Sequence, residues 1–215
     1  MVSRDRHELR RRQLIEATIA TIETYGFADT TIARISRAAG LSSGIISHYF
    51  GGKDGLLAAT MRSLLRELQA ETIDRLRRAG GDPLARIEAV IGANFDEHQF
   101  TARVCAAWLA FYGQVPHSPE LARLHTAYVR RLRSNLRDAF GELLRPDAAE
   151  RGAEGMAAMI DGIWVRAALS RDRADIGRAH RLADEYLRMT LAYYADTSHT
   201  DTQPLAPGAD NHAAR

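Results

Sequence analysis

Apolar residues recur at helical spacing along most of this 215-residue chain, and this periodicity restricts the fold more than any other feature. Leu14, Ile15, Ile19 and Ile22 form one such stripe. Nowhere do β-branched and aromatic residues alternate with polar ones over the length of a strand. We therefore predict an all-α fold of about nine helices, in which three short helices precede six mostly longer ones.

Glycine, proline and capping residues divide the chain into segments. Gly26 and Gly40 are expected to end helices, while the side chains of Thr31 and Ser42 are expected to cap the two short helices that follow. Further boundaries are predicted at Gly51-Gly52, Gly80-Gly81, Asp82-Pro83, Ser118-Pro119 and Pro146-Asp147, and the last helix at about 175–195. The resulting segments are residues 1–52, residues 53–195, and a tail over 196–215 that we expect to be disordered because it has few large apolar residues.

The composition indicates a soluble, cytoplasmic protein. The first residues contain no apolar signal-peptide core, no apolar run is long enough to span a membrane, and the single cysteine, Cys105, cannot form an internal disulfide. The formal net charge is only +2. Residues 1–53 have three more basic than acidic side chains, which supports nucleic-acid binding only weakly because a solvated charged face has the same composition.

Residues 31–50 predict two short helices that meet at a tight Gly-Leu-Ser turn. Gly40 can adopt a positive φ without steric cost, and Leu41 can lie between the helices together with Ile35 and Ile46. This arrangement is a helix-turn-helix, in which the second helix presents a polar face that fits the major groove of DNA. A plain helical hairpin inside a bundle is the alternative. We assign DNA binding to the segment 1–52.

The second helix and its neighbours supply the residues that we expect to contact DNA. Serine and histidine side chains can hydrogen-bond base edges or phosphates, an exposed Ile45 can pack on a thymine methyl group, and Gly44 lets the backbone approach closely. Lys53 begins the next helix, where its charge and the free N–H groups can hold a phosphate. The predicted contacts are Thr31, Ser42, Ser43, Gly44, Ile45, Ser47, His48, Tyr49 and Lys53.

The N-terminal part of the chain resembles the DNA-binding domain of TetR-family transcriptional regulators. Arg10–Ile15 (RRRQLI), Gly44–Phe50 (GIISHYF) and Lys53–Leu57 (KDGLL) carry this resemblance. Serine at position 47 is similar to the pattern of the BetI members of the family, the choline-responsive repressors of glycine betaine synthesis. The segments that extend the resemblance to the BetI members, over about residues 8–195, are 92–97, 107–111, 160–164 and 166–169.

The resemblance implies a ligand-responsive repressor that binds a palindromic operator as a homodimer. It further implies that the regulated genes serve choline uptake or glycine betaine synthesis, and that choline is the effector. The segment 53–195 then corresponds to a helical ligand-binding and dimerisation domain.

Aromatic and acidic residues in this larger domain predict a site for a cation. Trp108, Phe111 and Tyr112 share one helix face, and Asp161 and Trp164 share another. If these faces meet, they form an aromatic box with a carboxylate at its edge. Such a box suits a quaternary ammonium group, which has no N–H to donate and is stabilised by aromatic faces and a nearby anion.

Simpler explanations for these residues stay open. An aromatic stripe at helical spacing is more often plain core, and Asp161 could cap a neighbouring helix or pair with Arg166 instead of binding a ligand. Asp96 and Glu97 are further acidic candidates for the ligand site.

The last two predicted helices carry small residues between large ones, a pattern that allows close helix packing. These residues are Gly155, Ala158, Gly162, Ala168, Ala183, Leu187, Leu191 and Tyr194. In TetR regulators the corresponding helices form a four-helix dimer interface, and packing within one chain is the alternative. The helix over 53–79 would transmit ligand binding to the DNA-binding domain, where a coupling of about 1–3 kcal/mol changes DNA affinity roughly 5–150-fold.

No enzyme signature accompanies these features. The histidines form no metal-binding pair, and no nucleophile elbow or phosphate-binding glycine loop is present. We therefore expect no catalysis, no metal and no cofactor. Two alternatives to the choline-responsive repressor are a TetR-type repressor that senses another cation such as a polyamine, and a helical small-molecule or lipid-binding module without DNA activity.

Overall fold

The computed structural model describes residues 2–170 and 174–197, with side chains over 6–170 and 174–195. Within these ranges the chain forms nine α-helices and no strand, which confirms the all-α prediction. Of the tail predicted over 196–215, only residues 196 and 197 are described, and they belong to the final helix. Residues 198–215 lie outside the described part of the chain. The helices are α1 (Val2–Tyr25), α2 (Ile32–Ala39), α3 (Gly44–Phe50), α4 (Lys53–Ala79), α5 (Pro83–Asn94), α6 (Ala102–Gln114), α7 (Pro119–Phe140), α8 (Pro146–Leu169) and α9 (Ile176–Thr197), with a 3₁₀ turn at Val115–His117.

Local capping explains most boundaries of the short helices. The Thr31 hydroxyl oxygen accepts a hydrogen bond from the Arg34 amide (3.2 Å) at the start of α2, and Gly40 ends α2 with a φ of 65°. The prediction that Ser42 caps α3 is wrong. Ser43 is the residue before α3, its backbone is already helical, and its side chain makes no capping hydrogen bond. Ser42 contributes only its carbonyl, which accepts from the Ile45 amide (3.1 Å).

A small core holds the three N-terminal helices together. Leu14, Ile35 and Ile46 are buried in it, and Leu41 packs against it from the turn, as the sequence predicts. Leu56 from the first turn of α4 completes this core, so the N-terminal unit extends a few residues past position 52.

Gly55 allows α4 to approach the end of α3 very closely. A methyl group at position 55 would lie 1.9 Å from the carbonyl oxygen of Phe50. This contact fixes the angle between the two helices, because any larger residue would have to push their backbones apart.

Helices α4 to α9 enclose a second and larger core. Phe95, Phe111, Phe140, Leu136 and Met156 are fully buried within it. Helix α4 packs against α1, α3, α5 and α7, while α6 packs against both α1 and α8. The N-terminal unit is therefore connected to the larger core through α6 as well as through α4.

Part of the small-residue pattern of α8 and α9 packs these two helices against each other within the chain. Ala183 and Leu187 are buried, and the Tyr186 hydroxyl lies against Gly155, where an added methyl group would be 1.9 Å from it. A different apolar stripe of α9 faces outward: Leu182, Met189 and Tyr193 are 39%, 64% and 63% exposed. On α8 the exposed small residues are Ala158 and Gly162, followed by Leu169.

Candidate DNA interface and ligand site

The exposed face of α3 carries most of the predicted DNA contacts. Ser43, Gly44, Ser47 and His48 are exposed and lie at helical positions i, i+1, i+4 and i+5, so they share one face. Ser42 is exposed in the preceding turn and Thr31 at the start of α2. This face offers hydroxyl and imidazole groups to a groove, and the glycine allows close approach of the backbone.

Two predicted contacts are less accessible than the sequence suggests. Ile45 is half-buried and packs against the small core, so the prediction that it is exposed is wrong. Tyr49 is also half-buried, because the ring of His7 stacks on it with 4.5 Å between ring centroids. Arg11 binds the same turn: it donates to the Tyr49 carbonyl (3.0 Å), and its guanidinium lies 4.6 Å from the centre of the Phe50 ring.

His7 and Arg11 therefore hold the end of α3 against α1. Sequence reasoning missed both, because a contact between residues about forty positions apart leaves no local pattern. The sequence offers one signal for Arg11, which is the run of three basic residues at positions 10–12.

Lys53 occupies the first position of α4, as predicted. Its ammonium group lies 5.1 Å from the centre of the Phe27 ring, which restrains the side chain at this end of the helix. Gly52 precedes it and provides no side-chain cap, so the first amides of α4 keep free N–H groups. A cation next to free amides at a helix N-terminus is suited to a phosphate.

The two aromatic faces predicted from the sequence meet in the larger domain. The Trp108 ring lies 5.8 Å from that of Trp164, 5.7 Å from that of Phe111 and 5.8 Å from that of Tyr112, measured between centroids. Trp108, Phe111 and Trp164 are buried. Rings at these separations pack directly on one another as part of the larger core, and their faces are of the kind that binds a cation.

Asp161 lies at this aromatic cluster, where it accepts hydrogen bonds from two tyrosine hydroxyls. Tyr112 and Tyr128 both donate to its Oδ1, at 3.1 and 3.0 Å. Burial raises the pKa of Asp161 above its ordinary value, although the two hydroxyls and the nearby His125 oppose that shift. Burial and the carboxylate also raise the pKa of both tyrosines, so their hydroxyls stay protonated donors. The alternative that Asp161 caps a helix or pairs with Arg166 does not describe this arrangement.

Tyr128 is one member of the cluster that sequence reasoning missed; His125, whose ring lies 5.6 Å from that of Tyr112, is another. Tyr128 lies on the buried stripe of α7 that also contains Leu121, Leu132 and Leu136. The available signal was a phenolic hydroxyl within an apolar stripe, because a buried tyrosine hydroxyl needs a hydrogen-bond partner.

Asp96 and Glu97 are engaged away from this cluster. The Asp96 carboxylate pairs with Arg75 (2.8 Å) and accepts from the His98 amide (2.9 Å), so it stabilises the loop after α5. The Glu97 side chain is 76% exposed and lies 3.6 Å from His98. The structure thus gives no support to these two residues as ligand contacts.

Other chemical groups in the described part of the larger domain give no indication of catalysis. Burial raises the pKa of the Cys105 thiol to about 12, which leaves it protonated and unreactive at neutral pH. Over residues 2–170 and 174–197, no three His, Cys, Asp or Glu side chains are grouped so as to hold a metal ion. No helix in the same ranges has the length and apolar character needed to cross a membrane.

Comparisons with known proteins agree with both parts of the structure. Residues 14–60 match the family of bacterial regulatory proteins called tetR, and residues 83–192 match the C-terminal domain of BetI-type transcriptional repressors. The HTH-type transcriptional regulator BetI of Paraburkholderia xenovorans (strain LB400) is 48% identical over 185 residues, which are 86% of this chain and 95% of that protein. Its counterpart in Paraburkholderia phymatum is 48% identical over 188 residues, 87% of this chain and 96% of that protein.

Solved structures show the same fold. A transcriptional regulator from Pseudomonas aeruginosa PAO1 superposes with a TM-score of 0.73 at 26% identity, over 86% of this chain and 91% of that one. A regulator from Saccharomonospora viridis, solved in complex with choline, has a TM-score of 0.69 at 16% identity, over 83% of this chain and 95% of that one.

The chain belongs to the TetR family of bacterial transcriptional regulators. It is a helix-turn-helix DNA-binding protein and not an enzyme. Within the family it is a BetI-type transcriptional repressor.

Proposed function

We propose that this repressor binds a palindromic operator as a homodimer and that choline, or a close quaternary ammonium relative, is its effector. The observation that carries the effector assignment is Asp161, a partly buried carboxylate that two tyrosine hydroxyls hold at the edge of an aromatic cluster. A quaternary ammonium group needs aromatic faces and one anion, and it needs no hydrogen-bond acceptor.

The count of charges favours choline over a polyamine. A polyamine carries several positive charges and many N–H donors, which need several carboxylates or carbonyls. Among the described residues of the cluster, Asp161 is the carboxylate, because Asp96 and Glu97 are engaged elsewhere. One carboxylate matches the single positive charge of choline.

An unpaired donor in the cluster matches the remaining polar group of choline. The Trp108 indole nitrogen is buried and has no acceptor among the described residues. A buried N–H without a partner is costly, so a ligand oxygen that accepts from it gains affinity. The choline hydroxyl has such an oxygen next to its ammonium group.

Similarity supports the same assignment. Relatives at 48% identity over nearly their whole length are named BetI, and the Saccharomonospora viridis regulator of the same fold was solved with choline bound. Resemblance to the BetI repressors also underlies the proposal that the target genes serve choline uptake or glycine betaine synthesis.

The exposed surfaces of α9 and α3 support the proposed dimer and its contacts with an operator. The outward stripe of α9 (Leu182, Met189 and Tyr193) has the a/d spacing of an interhelical seam, and α8, which packs against α9, also exposes small residues. Two chains joined there would present two copies of α3. We expect them to contact DNA through Thr31, Ser42, Ser43, Gly44, Ser47, His48, Tyr49 and Lys53, with half-site centres about 10 bp apart or slightly more.

Two routes would carry the effector signal to α3. Helix α4 leads into the small core through Leu56, and α6, which bears Trp108 and Phe111, packs directly on α1. Arg103 of α6 also pairs with Glu16 of α1 (2.5 Å). A ligand that moves α6 would therefore move the N-terminal unit through the contact between α6 and α1, in addition to any effect through α4.

Calorimetry with choline, betaine aldehyde, glycine betaine and spermidine tests the effector. We expect choline to bind the wild-type protein and spermidine to bind far more weakly or not at all. Glu97→Gln is the matched control, because it removes an exposed carboxylate outside the cluster. Tight spermidine binding without choline binding would show that the effector is a polyamine. The assignment to the BetI-type repressors would not be affected.

Light scattering and footprinting test the assembly. We expect a dimer in solution and a protected region that covers two symmetric half-sites. Met189→Glu would place a charge in the exposed stripe and is expected to produce monomers with greatly weakened operator binding. A monomeric wild-type protein that protects a single asymmetric half-site would refute this part of the proposal.

A further inference from the structure

A groove with a volume of about 660 Å³ runs over the surface between α7 and α8. Its lining on α7 extends from His125 to Arg137, a distance of about 18 Å along a helix, and Glu150 of α8 lies at the Arg137 end. Three of the lining residues are arginines, and Glu150 is the one carboxylate among them. The groove is therefore positively charged and suits an anion.

One of the three arginines keeps its donors free. Arg133 donates to Glu150 (2.7 Å), and Arg137 lies 3.9 Å from the same carboxylate group. Arg130 is exposed, and within the described part of the chain it forms no ion pair and donates no side-chain hydrogen bond. Its guanidinium can therefore bind a phosphate or sulfate group through two parallel N–H donors.

His125 connects this groove to the cluster around Asp161. The His125 ring lies 5.6 Å from that of Tyr112 and 6.5 Å from that of Tyr128, measured between centroids. Both tyrosines donate to the Asp161 carboxylate. His125 and Asp161 are each half-buried, and Arg130 follows His125 by about 7.5 Å along α7. A cation at Asp161 and an anion at Arg130 can therefore belong to one small molecule.

We propose that the groove between His125 and Arg130 is an anion subsite, and that the repressor binds anionic esters of choline, with the ammonium group at Asp161 and the phosphate or sulfate group in the groove. This inference rests on the proposed choline site. The Arg130 guanidinium supplies the positive charge, and the His125 imidazole adds an N–H donor in either of its charge states. An ethylene link joins the two charged groups of such an ester. Binding of the ammonium end therefore holds the anion beside the groove at a high effective concentration.

Inorganic phosphate lacks the ammonium end and gains nothing from Asp161. An exposed arginine binds a free anion weakly, because water screens the attraction between surface charges. The groove is therefore expected to select the ester over its free anion, and Asp161 the ester over anions of other kinds.

Calorimetry of the full-length protein with choline, phosphocholine, choline sulfate and inorganic phosphate tests the subsite. We expect Arg130→Gln to weaken the binding of at least one ester about five- to tenfold and to leave the choline affinity unchanged, because only the esters extend into the groove. The ester with the larger loss identifies the anion as phosphate or sulfate. Arg37→Gln is the matched control, because it removes the same charge from an exposed position of α2, in the N-terminal unit.

The outcomes separate this subsite from the choline site. An ester that binds in an Arg130-dependent way, while choline itself does not bind, would support the subsite and refute choline as the effector. Esters that do not bind, or that lose no affinity in Arg130→Gln, would overturn the subsite and leave a positive choline result standing. Equal losses in Arg130→Gln and Arg37→Gln would overturn it as well, since they would show only an effect of net charge. Inorganic phosphate bound as tightly as phosphocholine would do the same, because such a site ignores the ammonium group.

Discussion

Asp161→Asn isolates the electrostatic part of the proposed choline site, because the amide keeps the shape of the carboxylate and removes its charge. Tyr112 and Tyr128 both donate to Oδ1, so an asparagine with its carbonyl oxygen there keeps both hydrogen bonds. The methyl groups of a quaternary ammonium hold its charge about 5 Å from the carboxylate, where an effective dielectric constant of about 20 gives roughly 3 kcal/mol. We expect the choline dissociation constant to rise about 100-fold.

The same substitution should stabilise the ligand-free protein. Burial raises the pKa of Asp161, so the folded chain holds this proton more tightly than the unfolded chain does. The stability contributed by the protonated group is lost as the pH rises through the raised pKa, and at neutral pH the ionised carboxylate opposes folding. Replacing it by a neutral amide removes that cost, so we expect a higher melting temperature at pH 7.

Calorimetric titration with choline and differential scanning calorimetry measure these two effects. Weaker binding together with a higher melting temperature cannot result from general damage to the fold. Glu97→Gln, which removes an exposed carboxylate, should change neither quantity. Choline binding to Asp161→Asn with wild-type affinity would refute the assignment of the cation site.

Further substitutions and a change of pH test other parts of the structure. Trp164→Leu keeps a large apolar side chain at a buried position and removes an aromatic wall, so calorimetry should show choline binding weakened by tens-fold, from about 2 kcal/mol per cation–aromatic contact, with DNA affinity in the absence of choline unchanged. Choline affinity should fall as the pH is lowered through the raised pKa of Asp161, and a flat profile for the wild type would contradict the need for the ionised carboxylate. Lys53→Ala should weaken binding to all duplexes alike and reduce the salt dependence by about one phosphate unit, whereas an altered operator preference would show that the residue reads bases. Gly55→Ala should destabilise the protein by about 1–3 kcal/mol in denaturant unfolding, because the methyl group would meet the carbonyl at the end of α3, while Gly113→Ala, where the methyl group meets nothing within 4 Å, should not; equal effects would rule out the close approach of α4 to α3.

Local signals in the sequence predict most of the fold. Glycines with positive φ and capping residues before prolines mark the ends and starts of helices, and they do so through interactions within one turn. The bounds expected for α4 therefore agree with the structure, and α8 begins at Pro146 as expected, although Arg145 before it makes no capping hydrogen bond. The predicted Ser42 cap is wrong, because α3 begins without any side-chain cap: backbone hydrogen bonds and packing on the small core form its start, and the capping pattern does not record either.

Contacts between distant residues account for what the sequence did not predict. The Trp108 and Asp161 faces could be paired because each has a helical spacing, but Tyr128 joins them from a third helix. Asp96 is a candidate ligand group from its acidic side chain alone, but it pairs with Arg75 of α4, which is 21 positions away in the chain. The burial of Tyr49 follows from α1 lying across the end of α3, and no pattern within either helix shows where the other will lie.

A change of operator affinity on addition of choline would show that choline is the effector of this repressor. Fluorescence anisotropy with a labelled duplex, selected by the protein from a random pool, would give the DNA affinity at increasing choline concentrations. We predict that saturating choline changes this affinity roughly 5–150-fold, that the change is absent when choline is replaced by sodium chloride at equal ionic strength, and that Asp161→Asn requires about 100-fold more choline for the same change. An operator affinity that stays constant up to saturating choline would contradict the account of this protein as a choline-responsive repressor.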